Sequence, residues 1–292
     1  MILLFSHNFI IENGENFVMR KIFSRLGFFV SMAVATTSLA SGIVPTSDPG
    51  ARFFAPAKSP GHFEIIGALG IAKLKMGDST LGVDARETDK LVQTNNQWNT
   101  FAAQLGVGYV HYFRNAQQYS DEAQWFPAIE PELNLYYLGS NSAIKGDALR
   151  YGSSDFNDFS YTIPVHSTRL MLDAALTIMS WKKLSVFAIG GIGNAWNRVG
   201  YRDQDKGDGD CSDPRLNLNS NTRSSFVWEI GGGVNYAFNN RVGLSLEYLY
   251  TDLGKVNFSA EGDNVDVANP VIVPARFRLK AQTVLLGLHI AL

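Results

Sequence analysis

The chain has 292 residues, and its 25 Lys and Arg against 27 Asp and Glu give a formal net charge of −2. This balance excludes the basic excess typical of nucleic-acid-binding proteins, so we expect no nucleic-acid partner. Charged residues make up only 18% of the chain, aromatic residues make up 12%, and there are 27 glycines, a composition that favours strands and tight turns over helices.

Residues 1–40 have the pattern of an N-terminal extension followed by a signal peptide. The basic segment Met19 to Arg25 precedes an apolar run from Leu26 to Ala35, and Ser38-Leu39-Ala40 has the small-x-small form of a cleavage site. The run is too short and too rich in small residues for a membrane-spanning helix. We therefore predict export and cleavage after Ala40. Residues 41–60 contain four prolines, and we predict that they form an extended periplasmic lead-in.

Residues 61–292 contain eight segments in which apolar and polar residues alternate with the two-residue period of strands. The predicted strands are Gly61–Met76, Trp98–Phe113, Trp125–Leu138, Phe159–Met179, Leu184–Tyr201, Ser225–Phe238, Arg241–Leu253 and Phe277–Leu292. Their apolar faces run for about ten residues, which is the length that a tilted strand needs to cross a bilayer.

The connections between these segments alternate in length. Three are short, namely 114–124, 180–183 and 239–240, and four are long and polar, namely 77–97, 139–158, 202–224 and 254–276. Short turns on one side and long loops on the other are typical of outer-membrane proteins. The sequence thus predicts an all-β fold: an eight-stranded antiparallel up-and-down transmembrane β-barrel with both termini on the periplasmic side.

Aromatic residues also lie near the ends of the segments, where we predict two interfacial girdles. The residues are Trp98, Trp125, Tyr137, Trp181, Tyr201, Phe238 and Tyr250. A soluble β-sandwich or a lipocalin-like barrel is the alternative fold, but it would turn its apolar faces inward and its charged faces to water.

Charged residues occupy the face opposite the apolar one, and we predict that they form a structural polar network inside the barrel. The members are Glu64, Glu130, Glu132, Arg169, Asp173, Glu229 and Glu247. Because a buried charge must be paired, we place Arg169 at the centre of the network, within reach of Asp173, Glu130 or Glu132. Lys73 and Arg198 are further candidate bases.

Three passages resemble the eight-stranded outer-membrane barrels of the OmpA transmembrane type and the related small surface antigens. Gln104-Leu105-Gly106-Val107-Gly108-Tyr109 and Gly190-Gly191-Ile192-Gly193-Asn194-Ala195-Trp196 are similar to the Gly-spaced strands of these families. Val284 to Leu292 resembles their closing strand, although the usual terminal aromatic residue is replaced by Leu292. The resemblance implies outer-membrane lipid as the surroundings and the barrel-assembly machinery as a partner of the closing strand.

Motifs for chemistry are absent from the sequence pattern. The glycine clusters at 190–193 and 231–233 precede no predicted helix, as a phosphate loop would require. The acidic run from Asp203 to Asp210 lacks the glutamate that closes a calcium loop. His166 and Ser167 are adjacent in a strand and therefore point to opposite faces, which does not suit a catalytic pair. We expect no catalytic residue, metal or cofactor.

The predicted function is that of a structural and surface-interaction protein of the bacterial outer membrane, serving envelope integrity or adhesion. The four long loops would contact a host or extracellular ligand. The alternatives are a narrow porin-like diffusion channel and, less favoured, a lipid-modifying enzyme.

Overall fold

The backbone of the described chain consists almost entirely of antiparallel strands. The computed structural model describes residues 61–83, 88–113, 120–207, 216–264, 273 and 275–292, so the predicted signal peptide and lead-in lie outside the described residues. The strands are β1 (Gly61–Met76), β2 (Ser79–Gly82), β3 (Thr88–Gln93), β4 (Thr100–Tyr112), β5 (Gln124–Trp125), β6 (Ala128–Leu149), β7 (Phe159–Trp181), β8 (Leu184–Asp205), β9 (Leu216–Ala237), β10 (Val242–Asn257), β11 (Gly262–Asn264) and β12 (Arg276–Ala291). Among the described residues, no helix has the length and apolar composition needed to cross a bilayer.

Eight of these strands pair in a closed ring. The order around the ring is β1, β4, β6, β7, β8, β9, β10 and β12, and β12 pairs back to β1. Gly67, for example, lies opposite Leu105 on one side and Leu288 on the other. Closure gives every long strand two hydrogen-bonded neighbours and removes the free edges that a bilayer would not tolerate. The predicted eight-stranded antiparallel barrel is confirmed.

The turn between β9 and β10 shows how the sequence sets a short connection. The Asn239 Oδ1 atom accepts hydrogen bonds from the backbone N–H groups of Arg241 and Val242, at 2.8 and 2.9 Å. An asparagine side chain that binds the backbone two residues ahead stabilises a tight reversal. The two strands therefore meet directly, with Gly243 opposite Ala237.

All four predicted long loops are wrong in part, because strands continue into them or form within them; in the last of them, β10 runs to Asn257 and β11 spans Gly262–Asn264. Strand β6 runs on to Leu149, β8 runs to Asp205 and β9 already begins at Leu216. The connection after β1 also contains the hairpin of β2 and β3, whose Lys90 lies opposite Leu149 of β6. Outside the lipid, outward side chains are polar, so the apolar alternation that marked the strands is lost there.

The outward face of the barrel carries an apolar belt. The side chains of Leu69, Leu172, Ile192, Ile230 and Leu286 are all more than half exposed in the isolated chain. Trp125, Trp181 and Phe238 are exposed at the short-turn end of this belt, as the predicted girdle requires.

Tyr201 was predicted for a girdle, and this is wrong. Its side chain is buried, because Ala195, Asn197 and Val199 set the inward phase of β8 and Tyr201 continues it. The outward position near the upper edge of the belt on β8 is held by Trp196.

Beyond the belt, at the long-connection end, the strand extensions form a second layer with its own core. We call this layer the head; it comprises β2, β3 and residues 140–149, 159–167, 197–205, 216–225, 253–258 and 275–281. Inside the head, Tyr161 stacks on Tyr201 with ring centroids 5.9 Å apart, and Phe258 lies 5.2 Å from both Tyr201 and Phe277. The polarity of the alternation is thus inverted: apolar residues face outward in the belt and inward in the head.

Candidate functional site

The seven charged residues predicted to line the interior all lie on inward-facing positions. They come from five strands, and Glu132, Arg169, Asp173, Glu229 and Glu247 are buried, whereas Glu64 and Glu130 are half-buried. The structure separates them into a middle layer around Arg169 and a layer at the short-turn end around Glu64.

The centre of the middle layer is an ion pair between Arg169 and Glu229. The Nη2 atom of Arg169 lies 3.1 Å from Oε2 of Glu229. The guanidinium also lies 4.2 Å above the ring of Tyr136, and the Thr251 hydroxyl donates to Glu229 at 3.0 Å. A buried arginine is stabilised by a carboxylate and an aromatic face together.

The acids of β6 do not pair with Arg169 in the way that the sequence suggested. Instead, the Asn134 amide donates to Glu132 at 2.7 Å and to Asp173 at 2.8 Å, and the Tyr136 hydroxyl donates to Asp173 at 3.3 Å. Arg169 reaches the opposite way, towards β9. Alternation placed Asn134 on the inward face without assigning it to the network, and it missed Tyr136, although both continue the inward phase of Glu130 and Glu132.

Glycines make room for these carboxylates. A Cβ atom on Gly191 would clash with the Asp173 carboxylate, and one on Gly108 would clash with that of Glu130. Because the interior of an eight-stranded barrel is only wide enough for side chains, a bulky acid on one strand requires a small residue on the next. The glycine clusters therefore serve packing here.

The layer at the short-turn end combines carboxylates with two histidines. His62 Nε2 lies 2.7 Å from Oε1 of Glu64, and His289 Nδ1 lies 3.1 Å from Oε2 of Glu64. On its other side, His289 Nε2 lies 3.1 Å from the Ser245 hydroxyl, which donates to Glu247 at 2.6 Å. A cavity lined by the two histidines, Glu64, Glu130 and Glu247 opens at the short-turn end. Sequence alternation placed His289 on the inward face of the last strand but did not assign it to the network.

Lys73 and Arg198 do not join the network. Lys73 stands between the buried Ala72 and Leu74 on β1, and Arg198 stands between the buried Asn197 and Val199 on β8. Both side chains therefore point away from the interior, because neighbouring residues of a strand face opposite sides.

The other candidate motifs have structural surroundings. Ser167 is buried and donates to Asn197 at 2.7 Å, whereas His166 lies 3.3 Å from the Tyr137 hydroxyl on the outer face. Asp203 is buried and accepts a hydrogen bond from the backbone of Leu216 at 2.7 Å. The rest of the predicted acidic run, from residue 208 onward, lies outside the described residues.

A closed antiparallel ring with an apolar outer belt and paired charges inside defines an outer-membrane β-barrel. Residues 55–273 match the family model described as outer membrane protein beta-barrel domain, and the chain belongs to this family. The protein resides in the bacterial outer membrane. The short-turn end of the barrel therefore faces the periplasm, and the head faces the outside.

Several solved structures are distantly similar. Neisserial surface protein A is 12% identical, over 79% of this chain and 97% of that chain, with a TM-score of 0.37. Ail, the attachment invasion locus protein of Yersinia pestis, is 12% identical over 79% and 99%, with a TM-score of 0.35. OprG from Pseudomonas aeruginosa is 14% identical over 79% and 96%, with a TM-score of 0.36. These similarities are too distant to support a functional argument. A comparison with curated proteins gave no significant match.

Proposed function

We propose that this protein is a non-enzymatic anchor of the outer membrane that presents its head for interactions at the cell surface, in adhesion or envelope integrity. The observation that carries this proposal is the filled interior of the head. Tyr161, Tyr201, Phe258 and Phe277 stack across it, and each is at most 3% exposed. A barrel closed in this way is suited to holding a surface structure in place.

The same packing disfavours the alternative of a diffusion channel. Below the aromatic cluster, the interior is occupied by the Arg169–Glu229 pair, and Leu249 and Leu285 are also fully buried. A solute would have to displace several fully buried layers. Stable single-channel steps in planar bilayers would overturn this part of the proposal, whereas an absence of conductance by the folded protein is the expected result.

Basic residues beyond the belt support the assignment of the head to the outer surface. On β1, Lys73 and Lys75 follow the outward Ile71, and on β12 Arg278 and Lys280 lie at the same level, with Lys75 opposite Lys280. Basic side chains next to an apolar belt suit the anionic headgroups of outer-membrane lipid. The terminal strand β12 is proposed as the segment that the barrel-assembly machinery recognises.

Trimming three connections between strands tests the interaction role. We would replace residues 84–87, 208–215 and 265–272, which connect β2 to β3, β8 to β9 and β11 to β12 in sequence, with short Gly-Ser turns. The control variant carries the same replacement at residues 114–119, on the periplasmic side. Cells that express each variant are added to an epithelial monolayer, and their binding is measured. In a second experiment, the detergent sensitivity of a deletion strain is compared with that of the wild type.

The proposal expects the trimmed variant to lose binding while its heat-modifiable gel mobility, and that of the control, stays as in the wild type. Unchanged binding by the trimmed variant, together with wild-type detergent resistance of the deletion strain, would overturn it. A changed lipid A mass spectrum in that strain would overturn the non-enzymatic assignment.

A further inference from the structure

We infer that the periplasmic end of the barrel interior holds a binding site for a divalent cation of the zinc type, with Glu64, Glu130 and His289 as ligands. One ligand atom from each of these residues lies within 4.8 Å of the other two. The site is independent of the proposed surface role. It was not predictable from a motif, because its ligands come from β1, β6 and β12.

The donor set and its spacing suit zinc. Zinc ligands lie about 2.0–2.2 Å from the metal in a tetrahedral site, which places ligand atoms roughly 3.3–3.5 Å from one another. His289 Nδ1 and Glu64 Oε2 are already 3.1 Å apart. An imidazole with two carboxylates favours zinc over calcium or magnesium, which prefer oxygen ligands alone. A modest movement of Glu130 completes three protein ligands.

The hydrogen bonds around His289 indicate that either a proton or a metal ion lies between it and Glu64. The Ser245 hydroxyl donates its hydrogen to Glu247 at 2.6 Å, so at its contact with His289 Nε2 it accepts, and the imidazole proton lies on Nε2. A neutral imidazole then presents its Nδ1 lone pair to the Glu64 carboxylate. Two acceptors at 3.1 Å repel each other unless a proton or a metal ion lies between them.

This arrangement is also the one that metal-binding histidines adopt. Their second ring nitrogen usually donates to a carboxylate or a hydroxyl, which fixes the tautomer and orients the ring. His289 has this support from Ser245 and, at 3.7 Å, from Glu247.

Glu130 supplies the second observation that points to a ligand. Its Oε1 atom is inaccessible to solvent and has no hydrogen-bond partner among the described residues. Its carboxylate lies over Gly108 of β4. Because Gly108 has no side chain, nothing at this position separates Glu130 from Glu64 and His289. Four carboxylates, from Glu64, Glu130, Glu132 and Glu247, line this cavity together with His62 and His289, whereas its Lys182, Lys183 and Arg241 are exposed to solvent. If His289 carried only an added proton, the buried charge of Glu130 would have no positive partner. A divalent cation would balance the charges of both Glu64 and Glu130.

The ion would enter from the periplasm. The cavity lined by the three ligands opens at the short-turn end, and His62, 2.7 Å from Glu64, stands at its mouth. On the other side, the Arg169 layer and the apolar core of the head block passage. The site is therefore a terminal binding site rather than part of a conduction path.

Zinc titration of the intact protein tests the inference. The protein is purified without a His tag from outer membranes in detergent, stripped with a chelator and titrated with Zn²⁺ by calorimetry. Co²⁺ is added in parallel, since its visible absorption reports the ligand geometry. The variants are Glu130→Gln and His289→Asn, and the matched control is Glu132→Gln, which removes a carboxylate from the same cavity outside the ligand set. Heat-modifiable mobility verifies that each variant is folded.

We expect one Zn²⁺ per chain and a tetrahedral Co²⁺ spectrum. Glu130→Gln should weaken binding by at least about tenfold, and Glu132→Gln should leave it within roughly threefold of the wild type. Folded wild-type protein without stoichiometric zinc binding would overturn the inference. So would equal losses in Glu130→Gln and Glu132→Gln, which would show that only the summed charge matters. If His289→Asn does not fold, the two glutamine variants still decide the question.

Discussion

Arg169 and Glu229 form an ion pair across strand β8, with 3.1 Å between Nη2 and Oε2 and with both side chains buried. They reach each other because the inward positions of β8 between them are small: Gly191 lies opposite Glu229, Ala195 lies opposite Arg169, and Gly193 stands between these two. The pair joins β7 to β9 within the bilayer. Its formation depends on these small residues of β8.

Replacing Arg169 with Ala should destabilise the barrel more than replacing any single acid of the interior. The change leaves Glu229 as a buried, unpaired charge and removes the contact with Tyr136, a loss of about 3–5 kcal/mol. The measurement is the temperature at which heat-modifiable gel mobility is lost, compared with Glu229→Gln and Asp173→Asn. Arg202→Ala, on the exposed surface, is the control. A wild-type transition temperature in Arg169→Ala would refute the prediction.

Asn197 links two strands at the base of the head. Its amide donates to the Leu253 carbonyl at 2.7 Å, and its oxygen accepts from the Ser167 hydroxyl at 2.7 Å. Asn197→Ala leaves both groups buried without partners, so we expect a loss of roughly 1–3 kcal/mol in urea unfolding from detergent micelles. Asn194→Ala is the matched control, because Asn194 bonds only the exposed Ser224. Equal stability of the two variants would contradict the expectation.

Two glycines of β8 should respond differently to the same change. A Cβ atom on Gly193 would clash with the Leu170 carbonyl, whereas one on Gly190 would meet no atom closer than 3.8 Å, the Glu229 carbonyl. Gly193→Ala should therefore destabilise by about 1–3 kcal/mol, and Gly190→Ala should have little effect. Refolding yield and unfolding midpoint in micelles check both. Indistinguishable variants would show that β8 shifts to absorb the added atom.

Tyr161 lies in the head, outside the bilayer, and gives a test by pH. Burial raises the pKa of its hydroxyl above the usual value of 10, and the negative charge of Asp147 raises it further. Because the folded pKa exceeds the unfolded one, the associated stability is complete below pH 10 and is lost as pH rises above about 10. Tyr161→Phe should show a smaller alkaline loss of unfolding free energy.

At neutral pH, Tyr161→Phe should be as stable as the wild type or slightly more stable, since the buried hydroxyl has no hydrogen-bond partner among the described residues. Tyr151→Phe, at an exposed tyrosine in the connection between β6 and β7, serves as the control. An identical alkaline midpoint in all three proteins would argue against the contribution of Tyr161.

Sequence alternation predicted the part of the fold that the bilayer dictates. The first strand matches its predicted bounds of Gly61 and Met76, because lipid requires an apolar outer face along the whole crossing. Residues 140–149 were assigned to a loop, since Asn141 and Lys145 face outward and are polar. The strand there is held instead by inward residues such as Ile144 and Ala148, which pack in the head.

The sequence predicted which side chains face the barrel interior, but not which of them pair with one another. Alternation placed Arg169 and Glu229 inside, but their pairing depends on the closed ring, which brings together residues 60 positions apart in sequence. Likewise, His289 and Glu64 meet only because β12 closes against β1, with His289 opposite Ile66. The predicted up-and-down order gives the neighbouring strands, but not the register that decides which inward side chains meet.

The long strands are unequal, and this inequality affects what the cell exposes. Strands β6 to β9 have 22 or 23 residues, whereas β1 has 16 and β4 has 13. At about 3.3 Å per residue, the nine or so residues of β7 beyond the belt rise roughly 20–30 Å above the lipid. Among the described residues, β6 to β9 therefore form the tallest wall of the barrel, and a large particle that approaches the membrane would meet this wall first.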